Sequence, residues 1–293
     1  MRDYVDGMAD GCRSHDLPGV SLKLPFALDI GATHMRAVMS TDQSDIRFSK
    51  IETPSADRLG EAVRTLLAAV GADGGPRGGI GLSRAAGIDK DGTIIAWPSR
   101  SDWIATNLLE IIRRETGCTA IYDIDDGMAA ALWEHAAGSF PHHCAVAVLS
   151  IGTGLGVGIV RAGVLQSTGD GAGTLGHAPI GISDRMCRCG QCGCLQATLA
   201  DPSISGELFS HYLLRARNWL ADRFGVDRIV VTGGSTRLRA DDCLAVAGVS
   251  LSAVPDASAV LGAALFARRG TDARDADLTP SMLSGSRASS EFL

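Results

Sequence analysis

The sequence predicts an α/β protein of two lobes, built by duplication of one unit. Two observations carry that prediction. An apolar strand, a Gly/Thr turn and an immediate second strand occur at residues 24–40 and again at 144–161. Each hairpin is followed by helical periods alternating with short apolar strands, the order expected of an α/β unit.

The elements follow in order. Residues 24–29 read as a buried strand, and 35–40 and 45–51 as the strands after it. Residues 57–70 are helical, with Leu59, Ala62, Val63, Leu66 and Leu67 on one face. Strands are predicted at 78–82 and 93–97, an amphipathic helix at 104–115, a strand at 120–124 and a helix at 126–137. The second half repeats the theme: strands at 144–151 and 156–161, a possible continuation at 164–166, a long helix at 208–224, a strand at 228–231 and a closing helix at 257–268. The expected organisation is a smaller N-terminal lobe at 24–125 and a larger C-terminal lobe at 126–269. Polar segments at 1–23 and 270–293 read as flexible.

Composition excludes several classes. A net charge of −6 argues against a nucleic-acid surface, which needs a basic face. No apolar run approaches the length of a membrane span. The first twenty residues are polar and carry Asp3, Asp6, Asp10 and Asp16, unlike a secretion signal. A cytoplasmic protein is expected, with its thiols reduced.

Four of the eight cysteines lie in C-R-C-G-Q-C-G-C, at Cys187, Cys189, Cys192 and Cys194, with His177 upstream. Thiolate sulfur and imidazole nitrogen are ligands that tetrahedral zinc prefers. A redox pair needs only two sulfurs, and a disulfide cluster would suit a secreted chain.

Glycine, at 36 residues, concentrates in loops after apolar runs. Such loops let backbone N–H groups approach a ligand. In Asp29-Ile30-Gly31-Ala32-Thr33, Gly31 and Thr33 can hold phosphate oxygens and Asp29 a hydrated Mg²⁺. Alone this motif is weak, and a plain hairpin turn is the better account of it. A second loop, Gly152-Thr153-Gly154-Leu155-Gly156, makes a nucleotide between lobes the better account. Asp126 opens a helix after a strand. There it can be an N-cap or a general base for a hydroxyl nucleophile.

Together these motifs resemble the ROK family, sugar kinases and related repressors of the actin-like and hexokinase-like ATPases. The family's D-I-G-G-T appears as D-I-G-A-T at 29–33, and N-D-x-N-A-A-A-L-x-E as D-D-G-M-A-A-A-L-W-E at 125–134. G-T-G-x-G-x-G lies at 152–158, A-G-E-x-G-H becomes A-G-T-L-G-H at 172–177, and C-x-C-G-x-x-G-C-L-E becomes C-R-C-G-Q-C-G-C-L-Q at 187–196. Gly233-Gly234 matches the adenosine-side glycine pair, and L-G-A-A lies at 261–264. The resemblance implies a two-lobed actin-like, ribonuclease-H-like ATPase fold: a duplicated βββαβα unit with a cleft between lobes. It implies ATP, Mg²⁺ and a structural Zn²⁺. His177, Cys187, Cys189 and Cys194 would hold the zinc, with Cys192 extra: a substitute for one ligand or, the favoured reading, a spectator. Asp126 would take the proton from a sugar hydroxyl attacking the γ-phosphorus. Asp125, Thr174, His177 and Gln196 would face the sugar. A homodimer is a further expectation.

The departures cluster on the sugar side. Asp125 stands for the family's asparagine, and Thr174 and Gln196 each stand for a glutamate. Ala85-Ala86 replaces Pro-Gly, and Pro98-Ser99 replaces Pro-Asn. A carboxylate at 125 would raise the pKa of Asp126 by like-charge repulsion and could pair with a substrate ammonium. The segment between Gln196 and Gly233 is short for the family. The sequence therefore points to a kinase acting on the primary 6-hydroxyl of a hexose or amino-hexose, glucose- or kanosamine-like. The competing readings are a non-catalytic sugar-sensing relative and a C7-cyclitol kinase.

Overall fold

The computed structural model describes residues 24–40, 46–76, 78–138, 140–141, 143–166, 175–181 and 183–275. The expected flexible segment at 1–23, residues 276–293 of the one expected at 270–293, and Thr174 lie outside the described residues, whereas 270–275 are helical.

The chain opens with β1 (Ala27–Ile30), β2 (His34–Ser40) and β3 (Ile46–Glu52), then α1 (Leu59–Ala69) and β4 (Ile80–Arg84). A two-stranded ribbon, β5 (Gly87–Ile88) with β6 (Ile94–Ala96), leads to α2 (Leu108–Thr116), β7 (Ile121–Asp125) and α3 (Asp126–Ala137). The second unit comprises β8 (Ala145–Ile151), β9 (Leu155–Arg161), β10 (Val164–Leu165), α4 (Leu195–Leu199), α5 (Gly206–Phe224) and β11 (Arg228–Thr232). It ends with α6 (Ala240–Leu244), β12 (Val249–Leu251) and α7 (Ser258–Asp275).

The two main sheets have the same topology. Their strand orders are β3-β2-β1-β4-β7 and β10-β9-β8-β11-β12. In each, the hairpin strands are antiparallel, and the later strands add in parallel to the first strand of the hairpin. The duplication read from the two hairpins is thus present as repeated pairing.

The helices that close the units lie between the sheets. α3 packs on β8 and β9 of the second sheet, and α7 on β1 and β4 of the first, with the two helices against each other. One core joins Ala27 and Val38, Val146 and Val148, and the alanines of both helices. The opposite faces, through Leu28 and Leu149, bury α1 with α2 and α5 respectively. This alternation is the period of two along a strand. It puts helix layers on the outer face of each sheet and a shared helix pair in the middle.

Small residues permit that middle layer. A Cβ on Gly262 would stand 1.7 Å from the carbonyl oxygen of Ala129, and one on Gly158 2.4 Å from that of Gly127. Neither neighbour is a flexible side-chain end, so a side chain at 262 must part the two helices and one at 158 must part α3 from β9. Gly262→Val is expected to cost about 1–3 kcal/mol or more through overpacking. A urea midpoint shows this directly, and an unchanged midpoint contradicts the close-approach account.

Capping explains where helices depart from the sequence reading. α2 begins at Leu108 and not at 104, because residues 101–103 form a separate short turn and Asn107 Oδ1 accepts the Glu110 N–H at 2.9 Å. α5 begins at Gly206, two residues early, with Ser205 as its cap. α7 continues to Asp275, past the predicted end at 268.

Candidate active site

Both Gly/Thr loops sit at the tips of corresponding hairpins, so the duplicated topology brings them face to face. Thr33 Oγ1 and Thr153 Oγ1 lie 2.7 Å apart, one from each unit. A cleft of about 510 Å³ opens between the sheets. It is lined by both loops, by Asp29, Asp125, Asp126, His177 and Gln196, and by Gly233 and Gly234.

The first loop is braced from below. Asp29 is buried at the end of β1, where its Oδ2 accepts from Arg36 at 2.8 Å and its Oδ1 from Ser83 at 2.8 Å. Thr53 Oγ1 donates to the carbonyl of Gly31 at 2.7 Å. In the second loop, the Gly152 N–H donates to Gly154 O at 2.9 Å. The third glycine position is constrained twice. Gly233 has φ 95°, and a Cβ there would stand 2.4 Å from Ile151 O. Only glycine meets both conditions cheaply.

The acidic pair divides two roles that the sequence left open. Asp125, not Asp126, is the N-cap of α3, and its Oδ1 accepts the N–H groups of Gly127 at 3.0 Å and Met128 at 3.3 Å. Asn and Asp cap about equally well, so aspartate at this position keeps the helix start intact. Asp126 is the first helical residue. Its Oδ1 accepts the Gly127 N–H at 2.7 Å. A Cβ on Gly156 would come within 2.8 Å of that oxygen, so the glycine leaves room for the carboxylate.

Burial pushes the Asp126 carboxyl well above the usual carboxylate range. The charges of Asp125 and Asp29 add to the shift, while the Gly127 N–H and Arg36 oppose it. Asp125 is raised too, chiefly by burial, and its two capping amides work against the shift. The two titrate as a pair. The like-charge repulsion expected from the sequence is therefore present, second to burial.

His177, Cys187, Cys189 and Cys194 converge, with their ligand atoms all within 4.8 Å of one another. Cys187 Sγ lies 3.4 Å from His177 Nδ1, and Cys189 Sγ lies 3.7 Å from Cys194 Sγ. Burial lowers the His177 pKa, which favours the neutral ring a metal requires. One nitrogen and three sulfurs fit tetrahedral zinc. Cys192 is exposed and outside this group, its Sγ 4.0 Å from Met186 Sδ. All seven described cysteines are free, so the disulfide alternative finds no pair among them.

A charged cluster escaped the sequence reading. Asp256, just before α7, receives Lys50 Nζ at 3.3 Å and Arg237 at 2.7 Å, with Arg36 at 3.8 Å. Burial works to raise its pKa, but Lys50 and Arg237 prevail and hold the carboxyl below its ordinary value. Arg36 and Lys50 belong to the first unit and are direct cross-strand partners on β2 and β3. Their shared face was available from the register. Their partner, more than 200 residues on, carries no local signal.

Comparison with known proteins agrees with this arrangement. Residues 26–212 match the ROK family, and the chain belongs to it. Its relatives include the kanosamine kinase of Amycolatopsis mediterranei, 29% identical over 191 residues, or 62% of this chain and 60% of that one. The glucokinase of Thermotoga maritima is 29% identical over 198 residues, or 65% of this chain and 61% of that one. The matches thus span about three fifths of the length of these curated relatives. Among solved structures, a ROK family glucokinase from Streptomyces griseus in complex with glucose and AMPPNP superposes with a TM-score of 0.69 at 21% identity. That match covers 84% of this chain and 100% of the other. The fold is the actin-like ATPase fold that the resemblance implied.

Proposed function

We propose that this chain is an ATP-dependent sugar kinase that phosphorylates the primary 6-hydroxyl of a hexose or amino-hexose, with Asp126 as the general base. The observation that carries the reading is the placement of a buried carboxyl of raised pKa in a cleft shared with two opposed Gly/Thr loops. The activities named for the matched relatives, kanosamine kinase and glucokinase, point the same way.

The chemistry follows from the residues. The hydroxyls of Thr33 and Thr153 and the N–H groups of Thr33, Thr153 and Gly154 would hold the phosphates. Gly31 and Gly152 would shape the loops through their N–H bonds to His34 O and Gly154 O, and Gly233-Gly234 would leave room for the nucleoside. Asp29 keeps lone pairs beyond its two hydrogen bonds, and it fits a hydrated Mg²⁺ that neutralises phosphate charge. Asp126 takes the proton of the acceptor hydroxyl. That oxygen bonds to the γ-phosphorus as the bond to the ADP oxygen breaks. A base whose pKa burial has raised above the carboxylate range holds the proton better than an ordinary carboxylate would.

Asp125 uses Oδ1 for its cap, leaving Oδ2 for an acceptor group. An ammonium is the natural partner, which favours an amino-hexose of kanosamine type. The metal site would be structural, since all four ligand positions come from the chain and none is left for water.

The pH profile tests the pair. A base must be ionised to work, so kcat/KM falls as pH drops through the raised pKa of Asp126. Asp125→Asn removes one cause of that raising while retaining a capping oxygen. The acid limb of the Asp125→Asn variant should therefore move to lower pH. A limb that stays in place or moves upward contradicts the assignment.

A further inference from the structure

We propose that Gln196 is a positioning residue that ties the Cys/His metal centre to the second Gly/Thr loop, setting affinity for the phosphoryl donor. The inference rests on the kinase reading and deepens it.

Gln196 lies in the first turn of α4, two residues after Cys194, which is the N-cap of that helix. Its Oε1 accepts the N–H of Leu155 at 3.2 Å. Leu155 is the first residue of β9, immediately after Gly152-Thr153-Gly154. A Cβ on Gly154 would stand 3.1 Å from the same Oε1, so the amide lies directly against the loop. The other end, Nε2, points at Cys187 Sγ at 3.9 Å. One side chain thus touches both a metal-ligand sulfur and the phosphate loop.

A second contact reinforces the first. His177 closes a short turn, Leu175–His177, and a Cβ on Gly176 would come within 2.2 Å of the carbonyl oxygen of Leu155. Leu155 is therefore bonded at its N–H by Gln196, and its carbonyl lies close against the turn that carries His177. Both contacts come from the metal centre. Leu155 also pairs with Ile151 across the base of the loop, whose tip is Thr153. Fixing Leu155 fixes where Thr153 meets Thr33.

The residue type suits this task. A primary amide donates from nitrogen and accepts at oxygen, as these two partners require. An ionised carboxylate accepts only, and would face a thiolate with like charge. Outer partners of metal ligands orient them and tune the site.

The experiment separates donor binding from acceptor binding and reads the metal site on its own. In Gln196→Ala, KM for ATP should rise about fivefold to tenfold, the scale of one lost hydrogen bond, while acceptor KM stays within about twofold. Hydrogen exchange at the Leu155 amide should accelerate. In Gln196→Glu, Leu155 keeps its acceptor, but the Co²⁺-substituted protein should show a shifted thiolate-to-metal absorption band. A rise in acceptor KM with ATP KM unchanged would overturn the proposal, placing Gln196 on the sugar. So would unchanged Leu155 exchange in the alanine variant, or a cobalt spectrum unaltered in the glutamate variant. The exchange and cobalt readouts decide the matter even if no acceptor supports turnover, so failure of the kinase reading is not confused with failure of this one.

Discussion

Asp126→Asn is expected to lower kcat by about 10²-fold to 10⁴-fold, the range a positioned general base contributes. Acceptor affinity should change little, because the amide keeps the size of the carboxyl and its bond to the Gly127 N–H. The variant should also be more stable. Asp126 binds its proton more tightly folded than unfolded. The folded state therefore holds more protons through that window, and stability declines as pH rises. Asparagine does not titrate, so the gain of the variant over the parent should grow with pH. A variant with near-normal kcat, or with stability reduced at high pH, contradicts the base assignment. Lost activity with gained stability is the pattern expected when a buried charge is kept for chemistry.

Cys194→Ser is expected to strip the metal and loosen the segment from His177 to Leu199. Cys194 is fully buried at the start of α4, and the Leu195 N–H donates to Ala178 O at 3.1 Å. These elements have few apolar side chains of their own, so the metal supplies much of their folding energy. Metal content should fall from about one per chain to a small fraction, with affinity reduced more than about 100-fold, the most that outer-shell changes cost. Cys192→Ser is the control. Its sulfur faces Met186 outside the ligand group, so metal content should be unchanged. Equal loss in both variants would show that the ligand set is wrong.

The parts legible in the sequence were those written in local pattern. The apolar face of α1 is Leu59, Ala62, Val63, Leu66 and Leu67 in both readings. α3 spans the predicted residues because strand, acidic pair and alanine run are contiguous. The Cys/His set was legible because the ligands lie close in the chain and convergence needs only short loops. What escaped depends on distant partners. β12 has three residues without a clear period, and it exists because β11 offers it an edge. The crossing of α7 onto the first sheet follows from Gly81 and Gly262, glycines that look ordinary until Ala263 and Ala129 are placed against them. The Asp256 cluster joins residues from both units. Gln196, expected to face the sugar, lines the cleft, and its motif position gives no sign that its amide also lies against Leu155 and Cys187.

The central claim is that acceptor hydroxyls are phosphorylated in the cleft between the two units. Its most direct test is ADP release by the purified, metal-containing protein with ATP and Mg²⁺. Glucose, kanosamine, N-acetylmannosamine and a C7-cyclitol would be supplied in turn, and binding of each measured by calorimetry. The account predicts acceptor-dependent ADP release, fastest with kanosamine and abolished by Asp126→Asn. Binding of one of these acceptors with no ADP released from any would contradict it and make the chain a sugar sensor.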